Sequence, residues 1–353
     1  MVRKLFSAAI LATFGAAALT ALPVSACGSL VAPNGAIRLS KATTLVAWHG
    51  GIEHYMTAFT YEGDVSKLGW IVPLPAVPIK IEEGGAWTLQ RLFRETHPVF
   101  EDAFFLRSAA VAGPAQILQQ VQVEALDITV LRGSGQAVVD WALKNGFSVD
   151  GDTSEHLIQY GKGSPIFMAA KFNLDRARAR GQLQGDGAPV LITMKTAHPW
   201  VPLEVLALDG QQTQADIYML TDQPLNTSNL GAVVGHPSVG TSVGKLGGLT
   251  VNFQEQLNPS LYRDLSTDRN MGWVWKNAWL TYLTLDAPAE QVTYDMSVTP
   301  TGVLTLAPFG TPPMAIVGHQ AALPTAPLGT STVVLVLLLG GGLLYAVARV
   351  ARL

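Results

Sequence analysis

Gly240-Thr-Ser-Val-Gly244 is the sharpest chemical pattern in the sequence. Its Gly-x-Ser-x-Gly spacing is that of a serine hydrolase, in which small residues let the chain turn tightly and expose the nucleophile, here Ser242. The pattern works only after a strand and before a helix, with an acid and a histidine following in the chain. Residues 232–234 can end a strand, but Gly244, Gly247 and Gly248 oppose a helix, and downstream histidine is limited to His319. A glycine-rich loop is the plainer reading. The same stretch falls short of a phosphate loop, because Leu246 follows Lys245 where a Ser or Thr would hold magnesium.

Other polar clusters are weaker. Asp150-Gly-Asp152 begins like a calcium loop, yet Glu155 takes the place of its glycine and Gly161 that of its bidentate acid, which leaves a solvated turn. The histidines are His49, His54, His97, His156, His198, His236 and His319, with no His-x-His or His-x-x-x-His pair. The expectation is therefore no metal and no other cofactor. Trp273, Trp275, Trp279 and Tyr282 offer aromatic chemistry instead, with Trp273 and Trp275 on one face if the segment is extended. A groove lined by Trp273, Trp275 and Trp279 would suit a cell-wall glycan or an apolar peptide, whereas core packing is the ordinary use of such residues.

Both ends of the chain are written for a membrane. Arg3 and Lys4 precede apolar residues 5–22, and Val24-Ser-Ala26 supplies small residues, the three regions of a secretory signal over 1–26. Cleavage there makes Cys27 the first mature residue, in a context that also reads as a lipoprotein box with Cys27 acylated. Residues 328–348 carry no charge and are long enough for a single transmembrane helix. Arg349 and Arg352 lie just beyond and keep the tail 349–353 in the cytoplasm. The expected localisation is the cell membrane, single-pass, with the body outside.

The lone cysteine closes no intrachain disulfide, so the exported body depends on its core. Without the terminal segments the net charge is about −7, which makes nucleic acid and anionic lipid headgroups poor partners. The partners that remain are the membrane, through the C-terminal helix, and an envelope protein or glycan.

Positioning such groups falls to a strand-rich body. Residues 43–48 and 52–59 read as a hairpin closed by Gly50-Gly51, which puts Trp48 opposite Glu53 and His49 opposite Ile52. Gly69-Trp-Ile-Val-Pro-Leu-Pro75 reads as an edge strand or an extended segment, 87–97 as a helix stopped by Pro98, and 121–131 as one strand. Helices follow over 136–145, ended by Gly146, and 153–160, capped by Asp152 or Thr153. Strands are expected over 165–173, 189–197, 203–208, 215–221, 249–253, 278–285 and 291–298. The fold class is α+β: a strand-rich, two-lobed ectodomain with a few short helices and a C-terminal transmembrane helix. Its lobes are 27–174 and 188–306, joined by 175–187, with a proline-rich stalk over 307–327. A Trp-Ile-Val-Pro-Leu run at 70–74 is echoed by Trp-Val-Pro-Leu at 200–203, a pattern that either a duplicated unit or chance similarity between Trp/Pro-rich edges would produce.

These landmarks carry a resemblance. Cys-Gly-Ser-Leu-Val-Ala-Pro at 27–33, Ala47-Trp-His-Gly-Gly-Ile-Glu-His54, Gly69 to Pro75, Trp141-Ala-Leu-Lys-Asn-Gly-Phe147 and Pro199-Trp-Val-Pro-Leu-Glu-Val205 resemble the bacterial domain-of-unknown-function family 2330. The resemblance implies an exported ectodomain, commonly with a C-terminal membrane helix, and carries no established activity or site residues. The functional expectation is a membrane-anchored extracytoplasmic protein that binds or scaffolds an envelope component and is not an enzyme. The alternatives are a glycan-binding module using Trp273, Trp275 and Trp279, and an exported hydrolase at Ser242.

Overall fold

The computed structural model describes residues 29–30, 37–63, 69–97, 116–147, 149–179, 185–186, 189–207, 212–226, 243–246 and 248–310. The signal segment 1–26, Cys27, Ser242, His236, His319, the membrane helix at 328–348 and the stalk beyond residue 310 lie outside these described residues. Among the described residues, no helix is long and apolar enough to cross a membrane.

In chain order, β1 (Ser29–Leu30), β2 (Ile37–His49), β3 (Ile52–Gly63), β4 (Gly69–Pro73) and β5 (Pro78–Glu83) lead to helix α1 (Thr88–Thr96). Then come β6 (Gln116–Val123), β7 (Leu126–Arg132), α2 (Gly135–Lys144), α3 (Gly151–Gly163), β8 (Ile166–Phe172) and α4 (Leu174–Ala179). The remainder comprises β9 (Gly185–Asp186), β10 (Val190–Lys195), β11 (Trp200–Val201), β12 (Gln212–Thr221), β13 (Val243–Leu246), β14 (Leu249–Gln256), α5 (Pro259–Ser266), β15 (Trp279–Pro288), β16 (Tyr294–Val298) and β17 (Leu304–Pro308).

The strands make three sheets. A nine-stranded central sheet runs β13-β14-β15-β12-β2-β3-β10-β5, with β9 on the outer part of β3. A second sheet runs β1-β4-β8-β7-β6, and a third β11-β16-β17. The β2–β3 hairpin has the expected register: Gly50 and Gly51 both take positive φ, 57° and 81°, and Trp48 opposes Glu53 while His49 opposes Ile52.

That hairpin corrects the two-lobe expectation. Its outer edges are paired by β12, parallel to β2, and by β10, antiparallel to β3. Both partners come from beyond residue 187, so the stretches 27–174 and 188–306 interleave within one sheet instead of forming successive lobes. The physical reason is backbone satisfaction: a buried hairpin leaves two rows of unpaired N–H and C=O groups, and strands from the later half complete them.

Side-chain alternation gives the sheet two apolar faces. Leu45, Ala47, Met56, Tyr218, Leu220, Leu280 and Tyr282 face a layer containing α1 and α5. Val46, Tyr55, Ile192, Ile217, Leu283 and Leu285 belong to the larger core shared with the second sheet and with α2 and α3. Strands β4 and β8 are buried along almost their whole length, as a sheet covered on both sides requires.

Several local expectations need correction. Residues 121–131 are not one strand but the β6–β7 hairpin, turned at Glu124 with φ 58°. Helix α3 begins earlier than expected, because Asp150 accepts a hydrogen bond from Thr153 N at 2.7 Å and is the true N-cap. Where a strand is expected over 203–208, the described residues 203–207 turn through a short 3-10 segment, Glu204–Leu206. Trp70 and Trp200 lie in unlike surroundings, β4 within the second sheet and two-residue β11 at the edge of the third, so their shared motif does not mark a repeated unit.

Two buried carboxylates tie the irregular segments down. Asp268 accepts from Ala86 N and Trp87 N, both at 3.0 Å, and from Thr88 Oγ1 at 2.7 Å, serving the start of α1, where Trp87 offers no cap of its own. A Cβ at Gly85 would fall 2.4 Å from Asp268 Oδ2, so the approach needs glycine. Asp295, 1% exposed, accepts from Tyr160 Oη at 2.7 Å, Leu203 N at 3.0 Å and Gly310 N at 2.8 Å. Tyr160 Oη in turn accepts from Val205 N at 3.2 Å. Burial pushes the Asp295 carboxyl up to about 7, although these donors favour its charge. Asp295→Ala leaves a buried hydroxyl and three amides, those of Leu203, Glu204 and Gly310, without their acceptor and should lower the unfolding free energy by about 3 kcal/mol in denaturant titration; a loss below ~1 kcal/mol contradicts this assignment.

Candidate functional site

The turn end of the β2–β3 hairpin gathers the most chemically varied side chains among the described residues. A two-residue turn pairs Ala47 with His54 and His49 with Ile52, so all four side chains share one face. His49 and His54 therefore lie on the same side of the sheet, a consequence already contained in the Gly50-Gly51 spacing. Trp48 and Glu53 occupy the opposite face.

On the first face each imidazole meets an indole. His54 stacks on Trp273 with ring centroids 3.9 Å apart and planes at 4°, and His49 stacks on Trp275 at 4.7 Å and 26°. His49 Nδ1 lies 2.6 Å from Asp222 Oδ1, just past the end of β12, and His54 Nδ1 lies 3.1 Å from Thr193 Oγ1 on β10. Burial lowers the His54 pKa to about 4, so its ring is neutral in the stack near pH 7. His49 is open, with 58% of its side chain exposed. Trp273 and Trp275 are half-buried and pack on the core under α1 and α5.

The tryptophans differ from the extended segment expected. Residues 271–278 form successive turns, through Val274 N to Met271 O at 3.0 Å and Ala278 N to Trp275 O at 3.4 Å. Trp279 starts β15 and alternates with Leu280 and Tyr282, which face the α1–α5 layer. It therefore points to the other face of the sheet and does not share a platform with Trp273 and Trp275.

Below the ledge the chemistry is acidic and closed. Glu53 is 0% exposed, and neither carboxylate oxygen has a hydrogen bond of normal geometry among the described residues. The Thr196 hydroxyl and the Trp200 amide approach closely enough to favour its charge, but burial outweighs them and pushes the carboxyl up to about 8. Neighbouring contacts lock the turn: Trp48 Nε1 donates to Thr196 O at 3.3 Å and Thr196 N to Gly51 O at 3.2 Å.

The other candidates are dispersed. Asp150 and Asp152 belong to the start of α3, with Asp150 spent on its cap. His156 Nε2 lies 2.5 Å from Glu204 Oε1, and that hydrogen bond raises the imidazole to about 9. His97 ends α1, stacks on Phe93 at 4.0 Å and approaches Tyr282 Oη at 3.2 Å. Among the described residues no group of three or more His, Cys, Asp or Glu side chains is placed to hold a metal ion. Sequence reasoning missed Glu53, Asp222 and Thr196; pairing of β12 and β10 with the hairpin brings Asp222 to His49 on one face and Thr196 to Glu53 on the other.

The buried acid has a definite pH signature. Unfolded Glu53 loses its proton near 4.5 and folded Glu53 near 8, so the folded chain holds the extra proton between these values and stability falls as pH rises through that window. Glu53→Gln should flatten the fall in unfolding free energy between pH 4.5 and 8 by at most about 1.4 kcal/mol per pH unit, measured against the parent chain. His54 acts oppositely: its contribution is lost as pH falls from 6.5 through about 4. An identical pH profile in Glu53→Gln rules out the buried-acid assignment.

Comparison with known proteins adds the family. No curated protein matches the chain. Among solved structures, the crystal structure of baculovirus P35 aligns at 8% identity and a TM-score of 0.32, covering 78% of this chain and 92% of that one. Residues 22–244 match the family described as an uncharacterized protein conserved in bacteria. The chain, whose landmark motifs at 47–54, 69–75 and 199–205 build the hairpin, β4 and β11, belongs to that bacterial family, DUF2330.

Proposed function

We propose that this chain is a non-enzymatic binding module of the cell envelope, held outside the membrane between a removed leader at 1–26 and a membrane helix at 328–348, and that the indole–imidazole ledge at the hairpin turn is its contact surface. The observation that carries the reading is the pair of stacks, Trp273 on His54 and Trp275 on His49, on one face of a rigid sheet. Rigid aromatic rings supply large contact area at little conformational cost. His49 and Asp222 add hydrogen-bonding groups beside the more open indole.

That mixture suits a neutral glycan, whose sugar rings offer an apolar C–H face edged by hydroxyls. Trp275 and His49 carry the contact; Trp273, with its Nε1 buried and one face covered, fixes the geometry. Trp279 is outside this surface. Catalysis at Ser242 is not part of the reading, and labelling with a fluorophosphonate that is lost in Ser242→Ala would reverse that choice.

The test is binding of the exported body to isolated cell-wall polysaccharide, followed by tryptophan fluorescence. Trp275→Ala should weaken binding about tenfold, equivalent to ~1.4 kcal/mol, while leaving the unfolding midpoint within a few degrees. Trp279→Ala should leave affinity unchanged. Retained affinity in Trp275→Ala, or failure of the parent chain to bind any neutral wall polysaccharide, refutes the proposal.

A further inference from the structure

A second concave surface lies in the helix layer. Helices α1 and α5 leave a cleft of about 380 Å³ between them, lined by Trp87, Gln90, Arg91, Arg94 and Asp264. That volume is in the range of small-ligand sites. Residues 87, 91 and 94 follow the i, i+4, i+7 spacing of one helical face.

The two arginines have different duties. Arg91 donates from Nε to Asp264 Oδ2 at 2.9 Å and from Nη1 to Glu95 Oε2 at 2.7 Å. Asn258 Nδ2, at the start of α5, donates to Glu95 Oε1 at 2.7 Å. Arg91 is thus neutralised and spent on joining the helices, and it makes a stiff floor. Arg94, exposed one turn further along α1, makes no hydrogen bond or ion pair among the described residues. Trp87 stands at the mouth, 37% exposed although it is a large apolar side chain.

We propose that this cleft binds an acidic sugar unit, with the ring's apolar face against the Trp87 indole and its carboxylate on the Arg94 guanidinium. A guanidinium fork matches a carboxylate in two parallel hydrogen bonds, and pre-fixed neighbours reduce the ordering that binding requires. The site is separate from the hairpin ledge and does not depend on it: its charge-recognising group, Arg94, stands on α1.

The probes are trigalacturonate and its uncharged methyl ester, titrated into the exported body at low salt with calorimetry and tryptophan fluorescence. The acid should bind at least tenfold more tightly than the ester, and rising salt should narrow that gap. Arg94→Gln should abolish the preference, Arg94→Lys should retain part of it, and Trp87→Leu should weaken both probes. Circular dichroism of the Arg94 variants checks that α1 persists. Equal affinity for acid and ester, or an undiminished preference in Arg94→Gln, overturns the proposal. Loss of the preference in Trp275→Ala with Arg94→Gln unaffected would place acid recognition on the ledge and equally overturn this site, without touching the neutral-glycan reading.

Discussion

The pairing of both edges of the β2–β3 hairpin is the constraint from which the rest of the structure follows. A hairpin placed in the middle of a protein must find partners for two rows of backbone donors and acceptors. Here β12 meets β2 in parallel and β10 meets β3 antiparallel. Those two pairings draw the later half of the chain around the earlier half, create the two apolar faces of the central sheet, and deliver Asp222, Thr193 and Thr196 to the hairpin turn. The indole–imidazole ledge and the enclosed Glu53 are two faces of the same turn.

Outside the sheets, order rests on side chains that stand in for backbone. Asp268 serves the start of α1 from a position far along the chain, and Asp295 collects Tyr160, Leu203 and Gly310 into one buried node. Both acids meet several donors. Glu53 meets none of normal geometry, and its proton takes the place of the missing partners. The contrast separates acids whose donors hold the fold together from one that is sealed without them; burial raises both Asp295 and Glu53, and Glu53 is carried higher, to about 8.

Much of the local structure was legible because it depends on neighbours in sequence. Gly50-Gly51 announced a turn that needs positive φ, Pro98 and Gly146 marked helix ends, and alternation marked β10, β12 and β15. The failures also have local causes. Glu124 takes φ 58° without being glycine or asparagine, so the β6–β7 turn carried no conventional signal. Asp152 and Thr153 were plausible caps for α3, but Asp150 had the geometry. The Trp87, Arg91, Arg94 stripe was present in the sequence and read only as a helix, because the cleft it lines needs α5 opposite.

By itself the sequence determined a strand-rich body with a few short helices, the hairpin register, and the family to which residues 22–244 belong. These properties follow from side-chain period, turn chemistry and motif spacing, which act over a few residues. Tertiary structure alone decided that the two halves interleave, that Trp279 faces away from Trp273 and Trp275, and that a lone glutamate is sealed behind the hairpin. Each of those results depends on strand order. Strand order is set by which distant edges satisfy one another's hydrogen bonds, a choice that no single segment encodes.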